Sequence, residues 1–211
     1  MRTVVSLARR AVVFEIALYR SLFRWVTRRP DVAPGGVAFR YVGAVALLLW
    51  VFIGVSAVEL VVVHVLLPWE TVRLVADIIG IWGLIWMLGL AASYSVHPHV
   101  VTESGLRIRQ GHGVDITVPW ADVASVGMRE RSRDTSKALQ IDRSEQAVVL
   151  NVVMGSMTDV DIRLKRPVLI PVRGNEESVT EIRLYADEPR LLVAAAREHL
   201  APAAQPKRSS T

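Results

Sequence analysis

Residues 41–58 read YVGAVALLLWVFIGVSAV, eighteen positions without a charge, ten of them Val, Leu, Ile or Phe. The apolar run continues past Glu59 to Leu67, and a second, IIGIWGLIWMLGLAASYSV, fills residues 78–96. About 20 apolar residues at 1.5 Å rise cross a hydrocarbon core of ~30 Å. Ten large apolar side chains contribute about −3 to −6 kcal/mol to insertion, against roughly +3 for one ionised acid at the helix centre. Glu59 avoids the centre, because it lies roughly 28 Å along the helix axis from Arg40. Pro68-Trp69-Glu70-Thr71 interrupts the two runs, so the sequence predicts an antiparallel helical hairpin with spans at about 41–65 and 74–95. Two helices apolar all round would otherwise need a covering domain larger than the rest of the chain. Trp69 on the far side, and Tyr41 and Tyr94 on the near side, suit aromatic interfacial positions. Gly80, Gly83, Gly89 and Ser93 allow close helix contact, the last two at small-xxx-small spacing.

Working outward, the 211 residues divide by charge. Residues 1–40 carry eight arginines against Glu15 and Asp31, residues 41–95 carry Arg73 against three acids, and residues 96–211 hold 16 basic and 15 acidic side chains. The excess of arginine before the first span directs both chain ends to the cytoplasm, which predicts a multi-pass plasma-membrane protein. Arg20 and Arg24 interrupt any apolar core of a cleavable signal peptide. Cysteine is absent, which excludes disulfides, thiol nucleophiles and cysteine metal sites. Only three of the 25 basic residues are lysine, a bias that fits a GC-rich bacterial genome.

Residues 1–36 read as a basic amphipathic helix and linker. At 100° per residue, Arg2, Arg9, Arg10, Arg20, Arg24 and Arg28 gather into one arc, and Leu7, Phe14, Leu18, Leu22, Phe23, Trp25 and Val26 take the rest of the wheel. Glu15 falls on the apolar side. Such a helix suits the surface of an anionic membrane at about 1 kcal/mol per basic residue. The membrane surface is the favoured setting, and the alternative is packing on the hairpin or the folded part, with arginine in solvent. Nucleic acid is a poor partner for an arm tethered to a membrane without interleaved exposed aromatics. Residues 37–96 form the hairpin.

After Val96 the hydrophobic period changes to two. Leu106 and Ile108 alternate with Arg107 and Arg109, and Val114, Ile116, Val118 and Trp120 alternate with Asp115, Thr117 and Pro119. Further strands are expected at 125–130, 138–142, 147–153, 160–165 and 179–186. Turns are expected at Gly111-His112-Gly113, Asp134-Thr135-Ser136, Gly155-Ser156 and Gly174-Asn175. A closing helix begins near Asp187 and Pro189, with Leu191, Leu192, Ala195 and Ala196 as its buried stripe. Seven strands and one helix make residues 97–200 an α+β unit, and 201–211 reads as a disordered tail.

A two-span hairpin followed by this strand-rich unit resembles the membrane-associated bacterial pleckstrin-homology-like (PH-like) domain proteins over roughly residues 40–200. The matching stretches are Val100-Val101-Thr102-Glu103-Ser104-Gly105-Leu106-Arg107-Ile108, Val118-Pro119-Trp120-Ala121-Asp122-Val123 and the helix after Asp187-Glu188-Pro189. The resemblance implies a cytoplasmic, antiparallel, curved seven-stranded partial barrel capped by the C-terminal helix. It implies no catalytic residue and no cofactor. The stretch from Asn151 to Asn175 is too long for one strand-turn-strand step, which leaves strand order open there.

Candidate sites follow from charge and spacing. Arg9, Arg20, Arg24 and Arg28 on the arm, with Arg107 and Arg109 on one outward sheet face, are candidates for lipid phosphates or a partner. Glu59, Arg73 and Asp77, with His64, form an intramembrane charged cluster in which Arg73 and Asp77 are expected to pair at i, i+4. His97-Pro98-His99 supplies two imidazoles without a third ligand beside them, so no metal is expected. No phosphate loop, catalytic triad or zincin motif is present. The function expected is non-enzymatic. The chain would present an interaction domain at the membrane to lipid, to a membrane-protein partner or to a second copy, without a small-molecule substrate. The alternative is a small transport or channel component using Glu59, Arg73 and Asp77.

Overall fold

The computed structural model describes residues 2–134, 137–145, 147–172 and 175–200. The predicted tail at 201–211, Thr135 and Ser136 of one predicted turn, and Gly174 of another lie outside them. Two compact units emerge: one gathers Met1–Val32, Val42–Pro98 and Arg109–Val114, the other Ala33–Tyr41, His99–Ile108 and Asp115–Thr211. The chain therefore passes between them five times.

The first unit is helical: α1 (Arg2–Val26), α2 (Gly43–Leu66) and α3 (Glu70–Val96). Helices α2 and α3 are long and apolar enough to cross a membrane; Ile53 is the buried residue of α2, and those of α3 gather at its C-terminal end, at Gly89, Ala91, Ala92, Ser93 and Val96. Leu47, Val65, Leu66, Ile79 and Trp82 all stand exposed. Ser56 donates to the Met87 sulfur at 3.7 Å between the paired helices. Small residues set the approach on two sides of α3. A Cβ at Gly80 would stand 2.7 Å from Leu60 of α2, and one at Gly89 would stand 3.2 Å from the Leu18 Cβ of α1.

That second contact decides the arm. Leu18 is fully buried and Ser21 nearly so, and Phe14 lies 6.1 Å from the Trp86 ring. One side of α1 is thus packed on α3, while Val12, Val13, Ile16, Phe23 and Val26 remain exposed. The helix ends in a Schellman arrangement: Arg29 N–H donates to Arg24 O and Arg28 N–H to Trp25 O, with Arg28 left-handed at φ 54°. Pro30 follows and cannot extend it.

The strands are β1 (Val37–Phe39), β2 (His99–Val101), β3 (Gly105–Gln110), β4 (Val114–Pro119), β5 (Val123–Ser132), β6 (Leu139–Arg143), β7 (Val148–Val152), β8 (Met157–Val172) and β9 (Asn175–Leu184); all but the end of β3 and the first residue of β4 belong to the second unit, with α4 (Pro189–Leu200). The strands form a four-stranded sheet, β1-β2-β3-β4, and a five-stranded sheet, β5-β8-β9-β7-β6. Pairing is antiparallel except between β7 and β9, which run parallel. Nine strands among the described residues exceed the seven expected. Val37–Phe39, assigned from sequence to the hairpin region, instead pairs with His99–Val101. Tyr41 is buried within the chain, its ring 4.7 Å from His99. The long stretch after Asn151 is mostly one sixteen-residue strand, β8, which pairs with both β5 and β9 and shifts register between Arg163 and Val168. Gly105 is required where β3 meets β4, because a Cβ there would strike the Val118 carbonyl. Helix α4 closes the unit, with His199 stacked on Trp120 at 5.2 Å and Arg197 donating to the Val126 carbonyl.

Candidate functional site

The predicted basic positions part company in the structure. Arg9 and Arg28 are exposed on α1 and just beyond it. Arg20 is exposed and makes no hydrogen bond or ion pair among the described residues. Arg24 sits one turn further on and pairs with Asp31 at 3.1 Å. Arg107 spends its guanidinium on Asp115 of the neighbouring strand, at 2.7 and 2.5 Å.

Arg109 overturns its expectation. Alternation with Ile108 predicts an outward side chain, yet it is 2% exposed and bonded to both the carboxylate and the carbonyl of Asp31. It is therefore closed to lipid. Residues Arg109–Val114 belong with the helices, and there the guanidinium meets a carboxylate 78 residues away in sequence. A buried charge is tolerable only when paired in this way. Burial works to raise the Asp31 carboxyl, but hydrogen bonds and charge from Arg109 and Arg24 outweigh it and hold it below the ordinary range.

Asp31 also ties the linker to the end of α3, its N–H donating to Val96 O at 2.8 Å. Beside it, His97 Nδ1–H donates to the Ser93 carbonyl at 2.8 Å, and His112 Nδ1 lies 3.2 Å from the Ser93 hydroxyl. Gly111, at φ +57°, makes this turn, and a Cβ there would stand 3.0 Å from Ser93 Oγ. Burial lowers the pKa of both imidazoles; for His112 the neighbouring His97 adds to it. The sequence offered His112 only as part of a turn.

Glu15, the exception on the arm's apolar side, accepts from Tyr19 OH at 2.6 Å and Trp82 Nε1–H at 2.9 Å. These bonds keep its carboxyl below the usual value.

Of the charged set predicted on the hairpin, one pair is made. Asp77 takes His64 Nδ1 across the hairpin at 2.7 Å rather than Arg73, and Arg73 has no ion pair among the described residues. Glu59 lines a groove of about 460 Å3 with Ser56, Gly80, Gly83 and Met87. Facing helices can reach His64 to Asp77, whereas the i, i+4 rule sees only one helix.

In the strand-rich unit, the nearest thing to a tuned group is Asp159 on β8. It is 6% exposed, and its Oδ1 accepts the Ala186 N–H at 3.0 Å. Burial pushes this carboxyl up to about 7, with the charges of Glu130 and Asp187 adding to the rise. His99 is buried on β2, with Nε2 3.0 Å from the Tyr185 carbonyl. His97 and His99 thus point to different tasks, and no three His, Asp or Glu side chains converge as a metal site among the described residues. No family model, curated protein or solved structure matches this chain.

Proposed function

We propose that this chain is a non-enzymatic integral membrane protein. Helices α2 and α3 cross the bilayer with both chain ends in the cytoplasm, and the strand-rich unit is a PH-like domain that binds a membrane-protein partner or lipid headgroups. One observation carries the reading: two helices of 24 and 27 residues expose large apolar side chains, from Leu47 to Leu66 on α2 and from Val72 to Ile85 on α3. Exposed apolar area on that scale is not tolerated in water. In lipid it is the ordinary outer surface of a spanning helix, and every backbone polar group is satisfied internally.

Arginine asymmetry supports the cytoplasmic placement, with eight before α2 and one in the α2–α3 region. The arm supports a fixed anchor, since α1 is pinned to α3 through Leu18 and Glu15. Five chain passages between the units favour a positional mechanism. A domain tethered in this way is held at high effective concentration for anything else in the same membrane. PH-like character rests on the sequence resemblance together with antiparallel strands closed by a C-terminal helix.

Gentle solubilisation of the full chain and affinity purification test this function. The account expects a stoichiometric membrane protein, a second copy or bound anionic lipid. A lone chain from several mild detergents, free of lipid phosphorus, contradicts it. A second reading, transport, is favoured by the Glu59 groove and the His64–Asp77 pair. It requires that replacing Glu59 and Asp77 with Ala abolish ion or proton flux in vesicles, whereas an anchor predicts no flux to lose.

A further inference from the structure

We infer that the cavity of about 270 Å3 between the C-terminal half of α1, the end of α3 and the β3–β4 turn is a binding site for a phosphoryl group. Arg20, Ser21, Arg24, Asp31, His97 and His112 line it. Three features point to an anion.

The first is charge. Arg20 and Arg24 reach the cavity from one side of α1, and Arg109 backs Asp31 from within, so three guanidinium groups face one carboxylate. Asp31 is spent on two of them, and the excess is left at Arg20, which has no partner among the described residues. A guanidinium offers a fixed fork of N–H donors matched to phosphate oxygens.

The second is an unmet ring nitrogen. His112 Nε2 is buried without a hydrogen-bond partner, while its Nδ1 is engaged by Ser93 Oγ. With the Ser93 hydroxyl donating to Nδ1, the imidazole proton resides on Nε2 and is available to an oxygen in the cavity. Burying that N–H unmet would cost about 1–3 kcal/mol, which a bound oxyanion would relieve.

The third is depth. Asp31 is hydrogen-bonded to Val96, the last residue of α3. If α3 crosses the bilayer, the cavity lies at the cytoplasmic interface, where lipid phosphates sit. This assignment rests on the membrane reading for its lipid source but not for its chemistry, because the lining residues belong to one compact unit.

The test uses the full chain in neutral detergent with three probes: phosphatidylglycerol, phosphatidylcholine and inorganic phosphate. Binding is read by native mass spectrometry and by the shift in thermal midpoint. Arg20→Gln is compared with Arg163→Gln, a charge-matched change at an exposed side chain in the other unit. Loss of one charged donor predicts about tenfold weaker binding for Arg20→Gln. Arg163→Gln should stay within about twofold, and Arg20 is exposed enough that its variant folds normally. Phosphatidylglycerol that binds with this sensitivity while inorganic phosphate does not assigns a lipid headgroup. Inorganic phosphate binding with the same sensitivity assigns a soluble phosphate. Equal affinities for the two variants, or no binding of either anion by the unaltered chain, overturn the site. Fractionation of the same cells separates this from the membrane reading, which fails only if the chain is recovered in the aqueous fraction.

Discussion

Replacing Asp159 with Asn should make the protein more stable at neutral and alkaline pH, by an amount that grows with pH. In the unfolded chain this carboxyl ionises around the ordinary aspartate value of 3.8, whereas in the folded unit it keeps its proton to about 7. Between those values the folded state binds more protons than the unfolded state, so stability contributed by this group falls as pH rises through the window. A rise of about three pKa units at 1.36 kcal/mol each gives a penalty of about 4 kcal/mol above pH 7. Asn retains an oxygen for the Ala186 N–H and never ionises, so it reproduces the protonated acid. At about 2–4 °C per kcal/mol, the thermal midpoint of Asp159→Asn should exceed that of the unaltered chain by roughly 10 °C at pH 8. The two should converge near pH 4. Thermal unfolding of both proteins in one detergent, at half-unit steps from pH 4 to 8, gives the difference directly and cancels other titrating groups. A gap that is constant over this range, or that narrows toward pH 8, refutes the burial argument.

Two further outcomes follow from packing and charge. Gly89→Leu should push α1 off α3 and lower stability by about 1–3 kcal/mol, while Gly83→Leu, with open space around the Cα, should change it by less than about 0.5; thermal midpoints and proteolysis at α1 check the pair. Arg109→Met should destabilise by about 3–5 kcal/mol because it strips the Asp31 carboxylate of its buried counter-charge. Adding Asp31→Asn to it should recover part of the loss, a coupling that a double-mutant cycle measures.

The two long helices were legible because hydrophobicity without interruption is a local property. So were β3 and β4, where Leu106, Ile108, Val114, Ile116 and Val118 alternate cleanly. What the sequence did not disclose depends on distant partners. Val37–Phe39 is too short to carry a period, and it becomes a strand only because β2 returns beside it. Strand β8 carries Lys165-Arg166-Pro167 at its middle, which breaks the alternation, and the register shift accommodates that stretch. The parallel β7–β9 pair arises because β9 inserts between β8 and β7, a topology that no local pattern encodes. Arg109 is buried through its pairing with Asp31, which is distant in sequence. The same limit applies to the cavity beside it: the arm supplies Arg20 and Arg24, but the two imidazoles that join them come from the end of α3 and a hairpin turn.

The hairpin's place in the bilayer is most directly tested by labelling. The chain has no cysteine, so Thr71→Cys in the first turn of α3 and Glu103→Cys in the strand-rich unit each give a unique thiol. A membrane-impermeant maleimide applied to intact cells should modify position 71, and position 103 only after permeabilisation. Modification of position 103 from outside, or recovery of the labelled chain as a soluble monomer without detergent, contradicts the account.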